Sequence, residues 1–168
     1  RYINMSEEEL LNDIIYQIGA LREFAKINSL ELQHIKLHGA LYMEAAKNKN
    51  LSSLLISYLE KLNPRLLLYC MDISKTFSLA KKRNYPTIRE FFADREYDDN
   101  GAIVFTRDVG LLNPDEIAKK CLKACKTGLV KTISGKEIKI KFETICFHSD
   151  TKGALEIGRS IKKILEKN

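Results

Sequence analysis

Helical and strand-like segments alternate along the whole of this 168-residue chain. Apolar residues recur every three to four positions in segments that predict helices over 7–28, 40–47, 51–62, 74–83, 114–126 and 152–167. Short apolar runs predict strands over 32–37, 65–70, 87–92 and 142–147, and a hairpin over 129–133 and 137–141. Strands separated by helices run parallel, because a parallel pair needs a long crossover connection. The alternation therefore predicts an α/β fold with a parallel sheet, open or closed.

Specific residues mark several helix boundaries, and Gly128 ends the helix predicted over 114–126. Ser6 and Glu9 form a capping-box pattern before the first helix, and Asn113-Pro114 supplies an N-cap and a first-position proline to a later one. Asn63-Pro64 ends the third helix, because a proline disfavours helical geometry in the residue before it. Residues 96–110 show little periodicity and predict a long loop.

The composition suits one globular domain. The chain is 45% hydrophobic and 30% charged, which suffices for a single core. No apolar run approaches the roughly 20 residues that span a bilayer, and residues 1–9 are polar and acidic, unlike a signal peptide. The 4 cysteines form no Cys-x-x-Cys pair, which fits reduced thiols. We therefore expect a cytoplasmic protein without a membrane partner.

The basic residues do not form a nucleic-acid footprint, despite a net charge of +6. They lie on separate predicted helices and are interpreted as solvated helix faces: Lys81-Lys82-Arg83, Lys119-Lys120 and Lys162-Lys163. Neither G-x-x-x-x-G-K-[ST] nor G-x-G-x-x-G occurs as a phosphate loop. We expect no nucleic-acid partner and find no nucleotide-binding motif.

Three polar motifs follow three of the predicted strands: Lys36-Leu37-His38-Gly39, Asp94-Arg95-Glu96-Tyr97 and His148-Ser149-Asp150-Thr151. Ligands of parallel sheets and barrels alike bind beyond the carboxyl ends of the strands. The placement of the motifs therefore predicts one pocket for a small-molecule substrate.

In the first motif, Lys36 and His38 are two residues apart at a strand end, so their side chains point to the same side of the sheet. Lys36 suits a carboxylate or phosphate oxygen, and His38 suits a general acid, a general base or a metal ligand. A hydrogen-bonded structural histidine is the alternative for His38. Tyr42, one helical turn further, would line the same mouth or pack against its neighbours.

In the second motif, Asp94 and Arg95 suit either substrate binding or an internal ion pair, with the Tyr97 phenol beside them. In the third motif, His148 and Asp150 share one side of a strand end, so Asp150 would orient the imidazole or share a metal with it. We predict as catalytic His38, Asp94, His148 and Asp150, and as substrate-binding Lys36, Arg95, Tyr42 and Tyr97. No separate set of metal ligands is predicted.

Four segments together resemble the LamB/YcsF family: Tyr16-Gln17-Ile18-Gly19-Ala20-Leu21, Lys36-Leu37-His38-Gly39-Ala40-Leu41-Tyr42, Phe92-Ala93-Asp94-Arg95-Glu96-Tyr97 and Cys146-Phe147-His148-Ser149-Asp150-Thr151. The resemblance implies a distorted parallel β/α barrel of the glycoside hydrolase and deacetylase type. It also implies the A subunit of ATP-dependent 5-oxoprolinase. With B and C subunits, that enzyme opens the lactam of 5-oxo-L-proline to L-glutamate and uses ATP as co-substrate.

The chain departs from the family pattern in two respects. The family's N-terminal section, with its Asp-Leu-Asn-Cys-Asp-like and Gly-Phe-His-like motifs, is absent. Residues 1–168 are therefore expected to form the C-terminal portion of one barrel domain without its N-terminal strands. The usual Lys-Pro-His-Gly is here Lys36-Leu37-His38-Gly39, and the usual His-Gly-Asp is His148-Ser149-Asp150.

Two other functions stay open beside the oxoprolinase. One is a metal-dependent, deacetylase-like hydrolase that uses His38 with His148 and Asp150. The other is a non-catalytic protein that binds the substrate for a partner enzyme. Association, including homo-oligomers, is a further expectation, because an incomplete barrel exposes sheet edges.

Overall fold

The computed structural model describes residues 4–63, 65–106 and 108–167. The chain divides into two compact units, Arg1–Ile88 and Arg89–Asn168, with the boundary inside the third strand. The single domain expected from the composition therefore stays a prediction.

The described residues of the first unit form four helices and two complete strands: α1 (Glu7–Ile27), β1 (His34–Lys36), α2 (Gly39–Lys47), α3 (Lys49–Leu62), β2 (Leu67–Cys70) and α4 (Lys75–Lys82). β1 and β2 run parallel, with Ile35 opposite Leu68. Each element lies within its predicted segment or extends it by one or two residues. The helical and strand periodicities of this half of the chain are thus confirmed.

The helix starts of the first unit follow the predicted chemistry. Ser6 Oγ accepts from the backbone N–H of Glu9 at 3.2 Å, and the Glu9 carboxylate accepts from the backbone N–H of Ser6 at 2.7 Å, which confirms the capping box. α3 ends at Leu62 as predicted, while Pro64, the proposed cause, lies outside the described residues.

One face of α3 forms the centre of the first unit's core, where Leu51, Leu55, Ile56 and Leu59 are fully buried. Beside them, Ser52 Oγ donates to the carbonyl of Ala45 at 2.6 Å, which ties α3 to α2. By contrast, α1 buries few side chains and exposes several large apolar ones: Tyr16, Leu21, Phe24 and Ile27.

The second unit is built from the remaining elements: most of β3 (Thr87–Phe92), α5 (Pro114–Thr127), β4 (Leu129–Lys131), β5 (Glu137–Lys139), β6 (Thr144–Cys146) and α6 (Ala154–Glu166). β3 and β6 run parallel, with Phe92 opposite Cys146. β4 and β5 form the predicted antiparallel hairpin. The predicted loop over 96–110 contains a short antiparallel bridge between Tyr97 and Ile103; Arg107 lies outside the described residues.

α5 has the start and end that its sequence predicts. The Asn113 side chain accepts from the backbone N–H groups of Asp115 and Glu116 at the start. Gly128 follows the helix with a left-handed φ of 69° and donates its N–H to the carbonyl of Ala124. Both ends of α5 are therefore capped by the residues that border it.

A glycine on α6 allows close packing against the segment after β6. A Cβ on Gly158 would lie 2.8 Å from Cζ of Phe147, which is closer than carbon atoms approach without displacement. The ring of Phe147 therefore occupies the space that a side chain at position 158 would need.

The α/β class and the parallel pairing of strands are confirmed. The strands of the described residues form no closed sheet. A (β/α) barrel closes with about eight strands, so the four strands in parallel pairs here are too few for closure. None of the helices in the described ranges is long and apolar enough to cross a membrane.

Candidate functional site

The carboxyl ends of β3 and β6 bring two of the predicted motifs together. Beyond the last paired residues of the strands, the backbone N–H of Ala93 donates to the carbonyl of Cys146 at 2.8 Å. This bond extends the parallel register, so Asp94 and His148 emerge side by side. Two of the three motifs thus lie together at the carboxyl ends of β3 and β6, where the sequence predicts them.

Asp94 and His148 form a hydrogen-bonded pair. Oδ1 of Asp94 lies 2.9 Å from Nδ1 of His148, and Oδ2 accepts from the backbone N–H of His148, also at 2.9 Å. The Asp94 side chain is fully buried, whereas the His148 side chain is 28% exposed. The ring of Phe92 stacks on the imidazole, with centroids 5.8 Å apart. The carboxylate of the pair is therefore enclosed by protein, and the imidazole is partly exposed to solvent.

Two more donors converge on Oδ2 of Asp94. The hydroxyl of Thr151 donates at 2.7 Å, and Nη1 of Arg95 donates at 3.0 Å. The same Nη1 also donates to the carbonyl of Asp94 and to the hydroxyl oxygen of Thr151. The internal ion pair between Asp94 and Arg95, one of the two interpretations of the motif, is therefore present.

These hydrogen bonds set the charge of Asp94. Burial alone would raise the pKa of its carboxyl, but the bonds from His148 and Thr151 outweigh burial and lower the pKa to about 2. An ionised carboxylate only accepts hydrogen bonds, so the proton at the contact resides on Nδ1 of His148. In the neutral imidazole, Nε2 then carries the lone pair, and it has no hydrogen-bond partner in the described part of the second unit. The pair has the geometry of an oriented general base.

Tyr97 is buried in the second unit and contacts the end of β3. It is 3% exposed, its hydroxyl accepts from the backbone N–H of Phe92 at 2.7 Å, and its ring stacks parallel to Phe91. Burial raises the pKa of the phenol far above its usual range. Tyr97 therefore supports β3, and the substrate contact predicted for it from the sequence stays a prediction.

Asp150 has a different position from the one predicted for orienting His148. Its side chain is 83% exposed, and its carboxylate lies 4.0 Å from Nη2 of Arg95. Asp94 orients the imidazole instead, because Asp94 follows the neighbouring strand and faces Nδ1 directly. That role of Asp150 is corrected, whereas a part for Asp150 in catalysis stays a prediction.

The other three predicted residues belong to the first unit. Lys36 is the last residue of β1 and is half-buried, and His38 is exposed directly before α2. Leu37 between them is buried, as alternation along an extended backbone requires. Tyr42 is buried on α2. Their proposed roles in catalysis and binding stay predictions.

Comparison with known proteins identifies the family. The profile of the LamB/YcsF family matches residues 1–168. The chain belongs to the LamB/YcsF family.

Relatives of known name cover most of this LamB/YcsF chain. It is 48% identical over 166 residues to a 5-oxoprolinase A subunit of Pseudomonas aeruginosa, covering 99% of this chain and 66% of that protein. It is 38% identical over 168 residues to the 5-oxoprolinase A subunit of Pyrococcus abyssi, with the same coverage of each. The chain thus spans about two thirds of the length of these relatives.

A solved structure shares the fold. The crystal structure of a lactam utilization protein from Thermus thermophilus superposes with a TM-score of 0.89 at 30% identity, covering 99% of this chain and 67% of the other. This agreement confirms the α/β architecture and the family resemblance carried by the four sequence segments.

Two residues of the LamB/YcsF site escaped the sequence interpretation. Thr151 was part of a motif but received no role, and Lys120 was assigned to a solvated face. In the structure, Nζ of Lys120 donates to the carbonyl of Arg95 at 2.6 Å and to that of Ala93 at 3.1 Å, so the assignment was wrong. The helical phase carried the signal, because position 120 lies one turn before buried Ala124.

The described residues contain no group of three or more His, Cys, Asp and Glu side chains arranged to hold a metal. His148 reaches Asp94 with Nδ1, while Asp150 lies toward Arg95. The site described in this LamB/YcsF chain is therefore a hydrogen-bonded network centred on one carboxylate.

Asp94 is expected to make the stability of this LamB/YcsF chain depend on acid pH. Because the folded pKa lies below the unfolded value of about 3.9, the contribution is full above that value and is lost as pH falls toward 2. Its size is on the order of 2 kcal/mol. Urea unfolding between pH 2 and 6 should show a smaller loss of unfolding free energy for Asp94→Asn than for the unchanged protein. Equal pH slopes in both proteins would contradict the assignment of charge.

Proposed function

We propose that this chain carries part of the catalytic site of a 5-oxoprolinase A subunit, which hydrolyses 5-oxo-L-proline to L-glutamate with cleavage of ATP. The single observation that carries the proposal is the Asp94–His148 pair at the ends of β3 and β6. The names of the relatives support the substrate, since they are called 5-oxoprolinase A subunits and a lactam utilization protein.

The reaction breaks the amide bond of a five-membered ring. Overall, one lactam, one ATP and two waters give one glutamate, one ADP and one phosphate. An unactivated lactam is a poor electrophile, and ATP supplies the activation by phosphorylating its oxygen. Since the sequence has no glycine-rich phosphate loop, we assign ATP binding to no residue of this chain.

His148 supplies the proton transfers in this proposal. Its Nε2 takes a proton from the water that attacks the phosphorylated ring carbon, and the imidazolium then protonates the ring nitrogen as the C–N bond breaks. The product of this step is an acyl phosphate, which the second water hydrolyses to the glutamate carboxylate and inorganic phosphate. Asp94 stabilises the imidazolium and keeps the proton on Nδ1 in the resting state. Burial of the carboxylate makes this contact stronger than an exposed one.

Cations bind the acidic substrate and the charge that develops on its oxygen. Arg95 is anchored through Nη1 and is 10% exposed, so its position is defined before substrate arrives. Lys36 and His38 of the first unit are proposed to contribute a cation and a further acid or base. Asp150 is proposed to set the orientation of Nη2 of Arg95.

The larger assembly is part of the same proposal. Because relatives are named as A subunits, we propose that the complete protein works with B and C subunits in the cytoplasm and that its own copies associate with one another. The distorted β/α barrel is proposed for the complete protein on the family resemblance.

The test is an assay of the complete A subunit with its candidate B and C subunits. Incubation with 5-oxoproline and ATP is expected to release glutamate and phosphate in equal amounts. Phosphate release without glutamate, or neither product, would overturn the proposed substrate. Omission of the protein that contains this chain serves as the control.

The two alternative functions give different results in the same assay. Loss of turnover on chelation, restored by one metal, would favour the metal-dependent hydrolase. Undiminished turnover after folded His148 and Asp94 variants replace the unchanged protein would favour a non-catalytic binding role.

A further inference from the structure

Lys120 is partly buried in the second unit, and its ammonium lies against backbone carbonyls. Its ammonium donates to the carbonyls of Ala93 and Arg95, the two residues that flank Asp94. It also lies 5.7 Å from the ring centroid of Phe91 and 5.6 Å from that of Tyr97. Lysine ammonium groups usually stay in water. The two carbonyls and two aromatic rings here replace that water as partners of the ammonium.

The two carbonyls fix the backbone on both sides of Asp94. When both carbonyls are held by one ammonium, the backbone dihedral angles of Asp94 are restricted. The direction in which the Asp94 side chain leaves the backbone is then restricted as well. The ring of Tyr97 packs under the same ammonium, and its hydroxyl accepts from the backbone N–H of Phe92. The last residues of β3 and the turn after it are therefore braced from α5.

We propose that Lys120 is a positioning residue, whose ammonium holds the 93–95 backbone so that the Asp94 carboxylate meets Nδ1 of His148. The effect on catalysis rests on the proposed function, whereas the effect on the Asp94–His148 hydrogen bond does not. Burial lowers the pKa of Lys120, and the charges of Glu96 and Asp94 oppose that shift. Both carboxylates therefore favour the charged ammonium that the position requires.

Geometry explains why such a brace matters for turnover. A misplacement of a catalytic group by about 1 Å costs on the order of a hundredfold in rate. Nothing else in the described part of the second unit donates to the carbonyls of Ala93 and Arg95. Without Lys120, the turn carrying Asp94 would therefore lose two hydrogen bonds at once.

The test uses Lys120→Met in the complete protein, which keeps most of the length of the side chain and removes its charge and donors. Lys120→Arg keeps both charge and donors, and Lys119→Met removes a charge from an exposed neighbour on the same helix. After labelling of the complete protein with 15N-histidine, NMR can report the proton on Nδ1 of His148, and the resonance is assigned by its absence in a His148→Asn variant.

We expect the hydrogen-bonded Nδ1 proton resonance of His148 to be lost or strongly shifted in Lys120→Met. It should be retained in Lys120→Arg and in Lys119→Met. In the assembled enzyme, kcat for glutamate release should fall about 10- to 100-fold in Lys120→Met with KM within about twofold. A merely structural role would lower the melting temperature without changing the resonance or kcat of the folded protein.

Each outcome decides the proposal. A folded Lys120→Met protein with the unchanged resonance, or with unchanged kcat, overturns it. If Lys120→Met does not fold, Lys120→Gln replaces it, since the amide can donate to one carbonyl but carries no charge. If the unchanged enzyme releases no glutamate, the proposed function fails, and the resonance of His148 alone decides the role of Lys120.

Discussion

Replacing Asp94 with asparagine is expected to lower kcat of the assembled enzyme about 10²- to 10⁴-fold, with little change in KM. Oδ2 of Asp94 accepts from Thr151, Arg95 and the backbone of His148. Oδ1 is the oxygen nearer to Nδ1 of His148, at 2.9 Å against 3.2 Å for Oδ2. The single oxygen of an asparagine would therefore take the Oδ2 position. Its NH2 group would then face Nδ1 and force the imidazole proton to Nε2, where the base must act.

The measurement is steady-state release of glutamate, with circular dichroism to establish that the variant is folded. Glu166→Gln is the matched control, because it makes the same change of charge at an exposed position on α6. That control should leave kcat within about twofold, as surface substitutions usually do. Turnover in Asp94→Asn equal to that of the control would remove Asp94 from the mechanism.

Replacing His148 with asparagine is expected to lower kcat by a similar factor, about 10²- to 10⁴-fold, while the protein stays folded. The amide nitrogen of asparagine can take the place of Nδ1 and donate to Asp94, so the buried carboxylate keeps its partner. Only the outer nitrogen, Nε2, is missing. The variant thus separates proton transfer from the support of Asp94.

His34→Asn is the matched control for this variant, since His34 stacks on Tyr69 in the first unit and is exposed. The measurement is glutamate release together with a urea unfolding curve for both variants. Full turnover in a folded His148→Asn protein would assign the general base to another residue, with His38 the next candidate.

Much of the fold could be predicted from the sequence because its signals are local. The capping box at Ser6 and Glu9, the N-cap at Asn113 and the terminal Gly128 act within one turn of a helix. Strand positions were predicted for the same reason, and β3 has the predicted bounds. Closure of a sheet is not local, so the patterns left it open.

The site was predicted in part, because strand ends place residues along an edge but do not choose their partners. The choice between Asp94 and Asp150 as partner of His148 depends on the register of β3 and β6, which lies between distant segments. The role of Lys120 depends on the packing of α5 beneath the 93–95 turn. The number of lysines on α5 does not show which of them is buried. The position of Lys120 one helical turn before buried Ala124 does indicate it.

The packing of Gly158 against Phe147 has a consequence for changing this protein. Phe147 precedes His148, so a larger residue at position 158 would push on the segment that presents the imidazole. α6 could then adjust reactivity without altering any residue that touches the substrate. Substitutions at position 158 would then change the reactivity of His148 from a distance. Alanine would displace Phe147 least, and larger residues would displace it more.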